Sequence, residues 1–246
     1  MSATPGDLAI AGLVPLSTVD WPDHLVATIF TQGCPWRCTY CQNTALIDTG
    51  TAGIVGWDDV VELLDRRVGL LDGVVFTGGE ATRQDALRPA MEAVRAKGFQ
   101  VGLHTAGAYP RRLAEVIDLV DWVGLDVKAL PEDYKPIIGH DVGAKAWESL
   151  DIVLSAAEAR PDFTYEVRTT IHPGNPAVSH FHELIACLRA VGVTDFALQE
   201  ARAKGTTPEF EAEAESWDTA AWREKWDRIV DDVRAAGFQR VAVRPA

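Results

Sequence analysis

The chain has 246 residues, four cysteines and a formal net charge of −13 at pH 7. Apolar residues make up 47% of it, enough to bury a core and to exclude global disorder. The acidic balance argues against nucleic acid as the main partner, and the longest strongly apolar stretch, residues 25–30, is too short to span a membrane. The first 24 residues carry no recognisable secretory signal, and the cysteines are few and clustered, so we expect a cytoplasmic protein.

Short β-rich runs alternate with longer helical patterns along the chain. Strands are predicted near residues 25–31, 73–77, 100–104, 122–126, 164–169 and 195–199. Helices are predicted near residues 57–69, 83–97, 110–119, 144–159, 178–190 and 218–236. Gly98 and Gly237 stand where a helix-ending glycine is expected. The alternation predicts an α/β fold with a parallel sheet and right-handed crossovers, and six strand–helix units indicate an incomplete barrel.

Two stretches fall outside this alternation. Residues 1–24 show no clear periodicity and are predicted to pack as an N-terminal apron before the first strand. Residues 200–217 are polar, with a glutamate at every second position from Glu209 to Glu215, and are interpreted as a solvated loop. We therefore expect a single domain over residues 1–246, with its core over 25–199 and a C-terminal loop, helix and short strand over 200–246.

Three of the four cysteines lie close together, directly after the first predicted strand. Cys34, Cys38 and Cys41 have the spacing C-x3-C-x2-C, whereas Cys187 falls in an apolar helical pattern typical of a small core residue. Structural zinc usually takes four protein ligands. Three thiolates can instead hold three irons of a [4Fe–4S] cluster, and the fourth iron is then free to bind a substrate. The triplet favours a catalytic cluster, with a structural zinc loop as the alternative.

Polar residues follow several predicted strands, at the end of a barrel where active sites lie. After the second strand, Gly78 and Gly79 allow close backbone approach to a ligand, and the Glu80 carboxylate can pair with an ammonium group. His104 ends the third strand. Asp126 and Lys128 end the fourth, on one face because side chains of a strand alternate. A surface ion pair is the alternative interpretation of this pair.

The fifth predicted strand contains a charged residue, Arg168, that needs a partner or a ligand, because burying it alone is costly. His172, at the end of the same strand, is interpreted as a polar strand-end residue and not as a general base.

The cysteine motif, with Tyr40 directly before its last cysteine, resembles the signature of radical S-adenosylmethionine (SAM) enzymes. The resemblance implies a partial (β/α)6 barrel and one [4Fe–4S] cluster whose open iron chelates the methionine amino and carboxylate groups of SAM. An electron from the cluster then cleaves SAM to methionine and a 5′-deoxyadenosyl radical. The residues implied to hold the cluster are Cys34, Cys38 and Cys41, and those implied to bind SAM are Tyr40, Gly78, Gly79, Glu80, His104, Asp126, Lys128 and Arg168.

Four further segments are similar to the activating enzymes of glycyl-radical enzymes, above all to anaerobic ribonucleoside-triphosphate reductase activating proteins. They comprise residues 20–22, 30–38, 69–80 and 123–129. The resemblance implies that Asp20 faces the active site. It also implies a glycyl-radical enzyme as partner, most directly the anaerobic ribonucleotide reductase, and a low-potential electron donor such as flavodoxin or ferredoxin. Trp21 and Trp36 are candidate anchors for that partner, or alternatively core residues.

One residue keeps the choice within the family open. Ala81 stands where many relatives have proline, and pyruvate formate-lyase activases carry a similar alanine. An activase of a pyruvate formate-lyase-type enzyme is therefore an alternative, and so is a small-molecule radical SAM enzyme such as a 7-carboxy-7-deazaguanine synthase.

Overall fold

In the computed structural model, which describes residues 2–246, eight strands form one open sheet and lie in the sheet in chain order. Strand β1 is antiparallel to β2, and every later pair of neighbours is parallel. The strands are β1 (Ile10–Ser17), β2 (Val26–Thr31), β3 (Gly73–Gly78), β4 (Gln100–Thr105), β5 (Trp122–Asp126), β6 (Thr164–Ile171), β7 (Asp195–Glu200) and β8 (Arg240–Arg244).

Helices connect the parallel strands, as the alternating sequence pattern predicts. Those described over residues 2–246 are α1 (Trp57–Asp65), α2 (Leu87–Ala96), α3 (Pro110–Val116), α4 (Tyr134–Ile138), α5 (Gly143–Ala159), α6 (Phe181–Ala190), α7 (Pro208–Glu215) and α8 (Thr219–Ala235). None of them is long and apolar enough to cross a membrane. The predicted α/β fold of the partial-barrel type is confirmed, as are the six predicted strands and helices and the short C-terminal strand.

Strand residues alternate between two environments. One set faces the helices and is almost wholly apolar, and it forms the main hydrophobic core together with the buried faces of the helices. Representative members are Ile29, Phe76, Leu103, Leu125 and Leu198, each fully buried. The other set faces the inside of the curved sheet, where polar residues accumulate toward the C-terminal strand ends. This division places the chemistry of the molecule at one end of the sheet's inner face.

The N-terminal end of the inner face is closed by aromatic packing. Trp21, in the connection between β1 and β2, is 3% exposed and stacks on Trp122 with ring centroids 5.6 Å apart. Val26 and Val75 complete this small cluster. A side chain at Gly102 would collide with the Trp21 ring, since an added Cβ would lie 2.8 Å from it. Of the two predicted roles for Trp21, the structure therefore supports the core residue and not the exposed anchor.

Replacing Trp21 with alanine is expected to destabilise the protein by about 3–5 kcal/mol, because it empties the closed end of the sheet's inner face. Urea denaturation followed by circular dichroism measures the change. Leu70→Ala is the control: that side chain is 61% exposed, so its loss is expected to cost less than about 0.5 kcal/mol. A Trp21→Ala protein as stable as the control would contradict the packing described.

Two segments predicted to be irregular contain regular structure. The N-terminal apron includes β1, whose interrupted pairing with β2 and Pro15 obscure the alternation expected of a strand. The predicted C-terminal loop includes α7, which starts at a Thr207 cap, has Pro208 at its first turn and buries Phe210. The four alternate glutamates of this segment are exposed, so their solvation is as predicted although the loop is not.

Candidate active site

A cavity of about 510 Å³ opens at the C-terminal ends of the strands. It is lined by the segment that carries the three clustered cysteines and by residues from β2 to β8. The predicted site residues that it brings together are Asp20, Cys34, Cys38, Tyr40, Cys41, Gly78, Gly79, His104, Asp126, Lys128 and Arg168. Glu80 is the one predicted site residue that does not line it.

The cysteines lie on a loop of residues 32–48, here called the cysteine loop, which is closed at its base by hydrogen bonds. The backbone N–H groups of Gly33 and Cys34 donate to the carbonyls of Leu46 (2.8 Å) and Ile47 (3.1 Å). The buried Gln32 amide donates to two further carbonyls of the same loop, those of residues 45 and 48, at 3.2 and 2.9 Å. The base of the loop is thus fixed by its own backbone and by one buried side chain.

The three thiols of the cysteine loop are half-buried. Burial raises the pKa of the Cys34 thiol to about 12 and also raises that of Cys38. A thiolate here needs a positive partner, which cluster iron supplies. Within residues 2–246, no three His, Cys, Asp or Glu side chains are close enough together to bind one metal ion. Three thiols on one loop are a donor set that fits an iron–sulfur cluster, which is held by cysteine thiolates.

The two glycines at the end of β3 allow the backbone of that strand to touch the cysteine loop. Gly78 has φ of +110°, and an added Cβ would lie 2.3 Å from the Thr31 backbone nitrogen. A Cβ on Gly79 would lie 2.4 Å from the Gly33 carbonyl oxygen. The Gly79 and Glu80 N–H groups donate to the Thr31 and Gly33 carbonyls at 2.8 and 2.9 Å. Gly78 and Gly79 therefore present bare backbone to the cavity.

The Glu80 side chain turns away from the cavity and is 1% exposed. Its Oε1 accepts hydrogen bonds from the Thr82 N–H, the Thr82 hydroxyl and the Thr105 hydroxyl, and its Oε2 accepts one from the Ala106 N–H, at 2.6–3.2 Å. Burial raises the pKa of Glu80, and these hydrogen bonds oppose the shift. Through these hydrogen bonds the Glu80 oxygens join the ends of β3 and β4, and its pairing with an ammonium group stays a prediction.

Replacing Glu80 with alanine is expected to cost about 2–4 kcal/mol of stability, because the Thr82 and Ala106 N–H groups lose their buried acceptor. Glu80→Gln keeps one oxygen and should cost less. Glu62→Ala, which removes a carboxylate that is 66% exposed, is the control and is expected to change stability by less than about 0.5 kcal/mol. Chemical denaturation measures all three. A Glu80→Ala protein no less stable than the control would refute this joining role.

A row of charged side chains crosses the cavity wall on β5 and β6. Asp126 accepts from Lys128 Nζ at 3.2 Å through Oδ2 and from Arg168 Nε at 2.9 Å through Oδ1. Burial acts to raise the pKa of Asp126, but the Lys128 and Arg168 charges outweigh it and lower that pKa to about 2. The two cations are only 6% and 11% exposed. With one carboxylate and two cations, the row has a net charge of +1 and suits an anionic ligand.

The His104 ring lies next to this row, between Arg168 and the backbone of Asp20. Its Nε2 lies 2.6 Å from the Asp20 carbonyl, which can only accept, so Nε2 carries the proton. Its Nδ1 lies 3.3 Å from Arg168 Nη1 and accepts from it. Burial and the Arg168 charge lower the pKa of His104 to about 3, consistent with a neutral ring. Gly124 leaves room for Arg168, since an added Cβ would lie 2.9 Å from the guanidinium.

Sequence reasoning missed an aromatic cluster that holds the cysteine loop against the C-terminal segment. His172 lies edge-on to Tyr40 and Phe210, with centroids 5.7 and 4.9 Å away, and stacks on Trp217 at 5.3 Å. From the sequence, His172 is predicted only to be a polar strand-end residue. The other members lie far apart in the chain, and no local pattern links them. Trp36, 4% exposed and edge-on to Tyr134, is likewise a core residue and not an exposed anchor.

Cys187 lies on α6, away from the cavity, and is exposed. The prediction that it is a core residue is wrong. The buried stripe of this helix comprises Phe181, Leu184, Ile185 and Leu188, and position 187 falls on the opposite face.

The chain shares both sequence and fold with known proteins. The sequence profile of the Radical SAM superfamily matches residues 28–186. A Methanocaldococcus jannaschii protein named as a glycyl-radical enzyme activating enzyme is 31% identical over 174 residues, 67% of this chain and 68% of that protein. The pyruvate formate-lyase-activating enzyme of Clostridium pasteurianum is 27% identical over 157 residues, 56% of this chain and 66% of that protein. The pyruvate formate-lyase 1-activating enzyme of Escherichia coli is 31% identical over 124 residues, 47% of this chain and 50% of that protein.

Solved structures agree in fold. Streptococcus suis SuiB bound to the precursor peptide SuiA has a TM-score of 0.65 at 13% identity, over 89% of this chain and 48% of that one. The chain belongs to the radical SAM superfamily and is an enzyme of that class. Its relatives within the superfamily include glycyl-radical enzyme activating enzymes, of which it spans between half and about two thirds.

Proposed function

We propose that this protein generates a glycyl radical on a partner enzyme, and that the partner is the anaerobic ribonucleoside-triphosphate reductase. One observation carries the chemistry: three thiols and a net-positive charged row line the same cavity. When bound there, one [4Fe–4S] cluster and SAM would supply reductive cleavage of the sulfonium and a 5′-deoxyadenosyl radical that abstracts hydrogen.

Different residues of the cavity would bind the cluster, the SAM carboxylate and the SAM amino group. Cys34, Cys38 and Cys41 would hold the cluster, because they are the cysteines of the chain that face the cavity. The charged row would bind the SAM carboxylate through its excess positive charge. The bare Gly78 and Gly79 backbone would meet the SAM amino group, because a carbonyl accepts from an ammonium.

The remaining side chains of the site act by positioning. Tyr40 would form the cavity wall beside the adenosine of SAM. The centroid of its ring lies 5.6 Å from Lys128 Nζ. His104, neutral and held at both nitrogens, would orient Arg168. Glu80, next to Gly79 in the chain, would fix the end of β3 to the end of β4 through Thr105 and Ala106. In this division no side chain has to serve as general base, since the hydrogen leaves as an atom.

The reductase is preferred as partner because residues 20–22, 30–38, 69–80 and 123–129 resemble its activating proteins. Ala81 and the similarity to pyruvate formate-lyase activating enzymes support a formate-lyase-type partner as the second candidate. A deazaguanine-synthase function has weaker support, a similarity of 33% over 117 residues to a Methanopyrus kandleri enzyme that covers 39% of this chain. The cytoplasmic location and the flavodoxin or ferredoxin donor stay predictions.

The test is to mix anaerobically reconstituted protein with SAM, dithionite and each candidate partner from the same organism. Electron paramagnetic resonance should show a glycyl-radical doublet on the reductase that is absent with the Cys34→Ala variant. A doublet only on the formate-lyase-type partner would move the assignment to the second candidate. SAM cleavage with no doublet on either partner would favour a small-molecule substrate.

A further inference from the structure

The two edges of the open sheet differ in how they are protected. The β1 edge is interrupted by two register shifts, carries Pro15 and is bridged at Ile10 by Val55. Bulges, prolines and covering segments are the usual means by which proteins block strand addition at an edge. The β8 edge has no proline and an unbroken register with β7 over all five of its residues. Among residues 2–246, no strand or bridge pairs with the outer edge of β8, whereas the β1 edge is bridged.

The free hydrogen-bonding groups of β8 can be assigned from its pairing. The Arg240 N–H donates to the Thr194 carbonyl on the β7 side, at 3.2 Å. Groups of a strand alternate in direction, so residues 240, 242 and 244 face β7, and the N–H and C=O of Val241 and Val243 point outward. No other strand of residues 2–246 pairs with them. Pro245 has no N–H, so the series of outward-pointing hydrogen-bonding groups on β8 ends there.

The open edge leads into the reaction cavity. Arg244 and Pro245, at the C-terminal end of β8, line the cavity together with Gln199 at the end of β7. Arg244 is held there by a bidentate pair with Glu166, at 2.7 and 2.9 Å. An extended polypeptide that pairs with β8 would therefore reach the mouth of the cavity, where the pairing ends.

We propose that the outer edge of β8 binds the partner's glycine-containing segment as an added strand and so delivers the glycine to the cavity. The proposal rests on the proposed function. Glycine has no side chain to be recognised, so a site that selects one glycine must hold the flanking backbone. An unpaired strand edge recognises backbone through main-chain hydrogen bonds. The occupant is thus an extended polypeptide segment.

The first test changes the edge without touching the cavity. Val243→Pro removes an outward N–H that the β7–β8 ladder does not use, and Val243→Ala trims the same side chain while keeping that N–H. Val243→Pro should lower the rate of glycyl-radical formation on the partner about tenfold or more, whereas Val243→Ala should leave it within about threefold of wild type. In both variants, SAM cleavage without a partner should stay at the wild-type rate.

A second test does not depend on how well the proline variant folds. A nine-residue peptide centred on the radical glycine of the reductase is synthesised with single N-methyl groups at successive positions. Added-strand binding predicts that competition with the full-length reductase is lost at every second position only. Equal tolerance of all positions, no competition by the unmodified peptide, or an unchanged radical yield in a folded Val243→Pro protein would overturn the proposal. Absence of SAM cleavage by the wild-type protein would instead count against the proposed function.

Discussion

Replacing any one of Cys34, Cys38 or Cys41 with alanine is expected to abolish the visible absorption of the reconstituted cluster and all reductive SAM cleavage. The three thiols line one cavity, on a loop closed at its base by backbone hydrogen bonds. A cluster with only two protein ligands would have two open irons. The measurement is an absorption spectrum with iron and sulfide analysis after anaerobic reconstitution, followed by quantitation of 5′-deoxyadenosine.

Cys187→Ala is the matched control for the cysteine series. Its thiol is exposed on α6 and lies outside the cavity, so the variant should retain the wild-type iron content and the wild-type cleavage rate. Circular dichroism checks that each variant is folded. Loss of the cluster in a folded Cys187→Ala protein, or its retention in any of the triplet variants, would contradict the assignment of the ligands.

Replacing Arg168 with methionine is expected to weaken SAM binding about tenfold to a hundredfold, because one charge-assisted hydrogen bond is lost. The substitution keeps most of the apolar length of the side chain but leaves Asp126 with one cationic partner and His104 Nδ1 without a donor. Asp126→Asn should also weaken binding, although it raises the net charge of the row, because the two buried cations lose the shared carboxylate that positions them. Isothermal calorimetry on cluster-loaded protein measures both.

Arg244→Met is the matched control for this series. Arg244 also lines the cavity, but its guanidinium pairs with Glu166 and not with Asp126. Its loss should change the dissociation constant of SAM by less than about threefold, the range expected of a residue that makes no ligand contact. Equal losses in Arg168→Met and Arg244→Met would mean that overall cavity charge, and not the row, determines binding.

Most of the fold and the centre of the site could be predicted from the sequence, for a physical reason. Parallel strands buried on the helix side are short apolar runs, so they stand out between helical patterns, and their C-terminal ends must meet at one edge of the sheet. That is why Cys34, Gly78, Asp126 and Arg168, distant in the chain, could be assigned to one cavity that the structure then shows.

Features that depend on partners far away in the sequence could not be predicted from it. Glu80 turns from the cavity because Thr105 and Ala106, on the next strand, supply its hydrogen bonds. The packing of Trp21 depends on space left by glycines of other strands. The exposure of Cys187 could have been inferred, because the 3.6-residue period of α6 places it off the buried stripe.

The most direct test of the central claim follows one hydrogen atom. The candidate reductase is produced with glycine deuterated at Cα and is incubated anaerobically with the reconstituted protein, SAM and reductant. If this protein makes a glycyl radical there, mass spectrometry will find deuterium in 5′-deoxyadenosine, in step with the radical signal on the reductase. Unlabelled 5′-deoxyadenosine from both the reductase and a likewise deuterated formate-lyase-type partner would contradict the account.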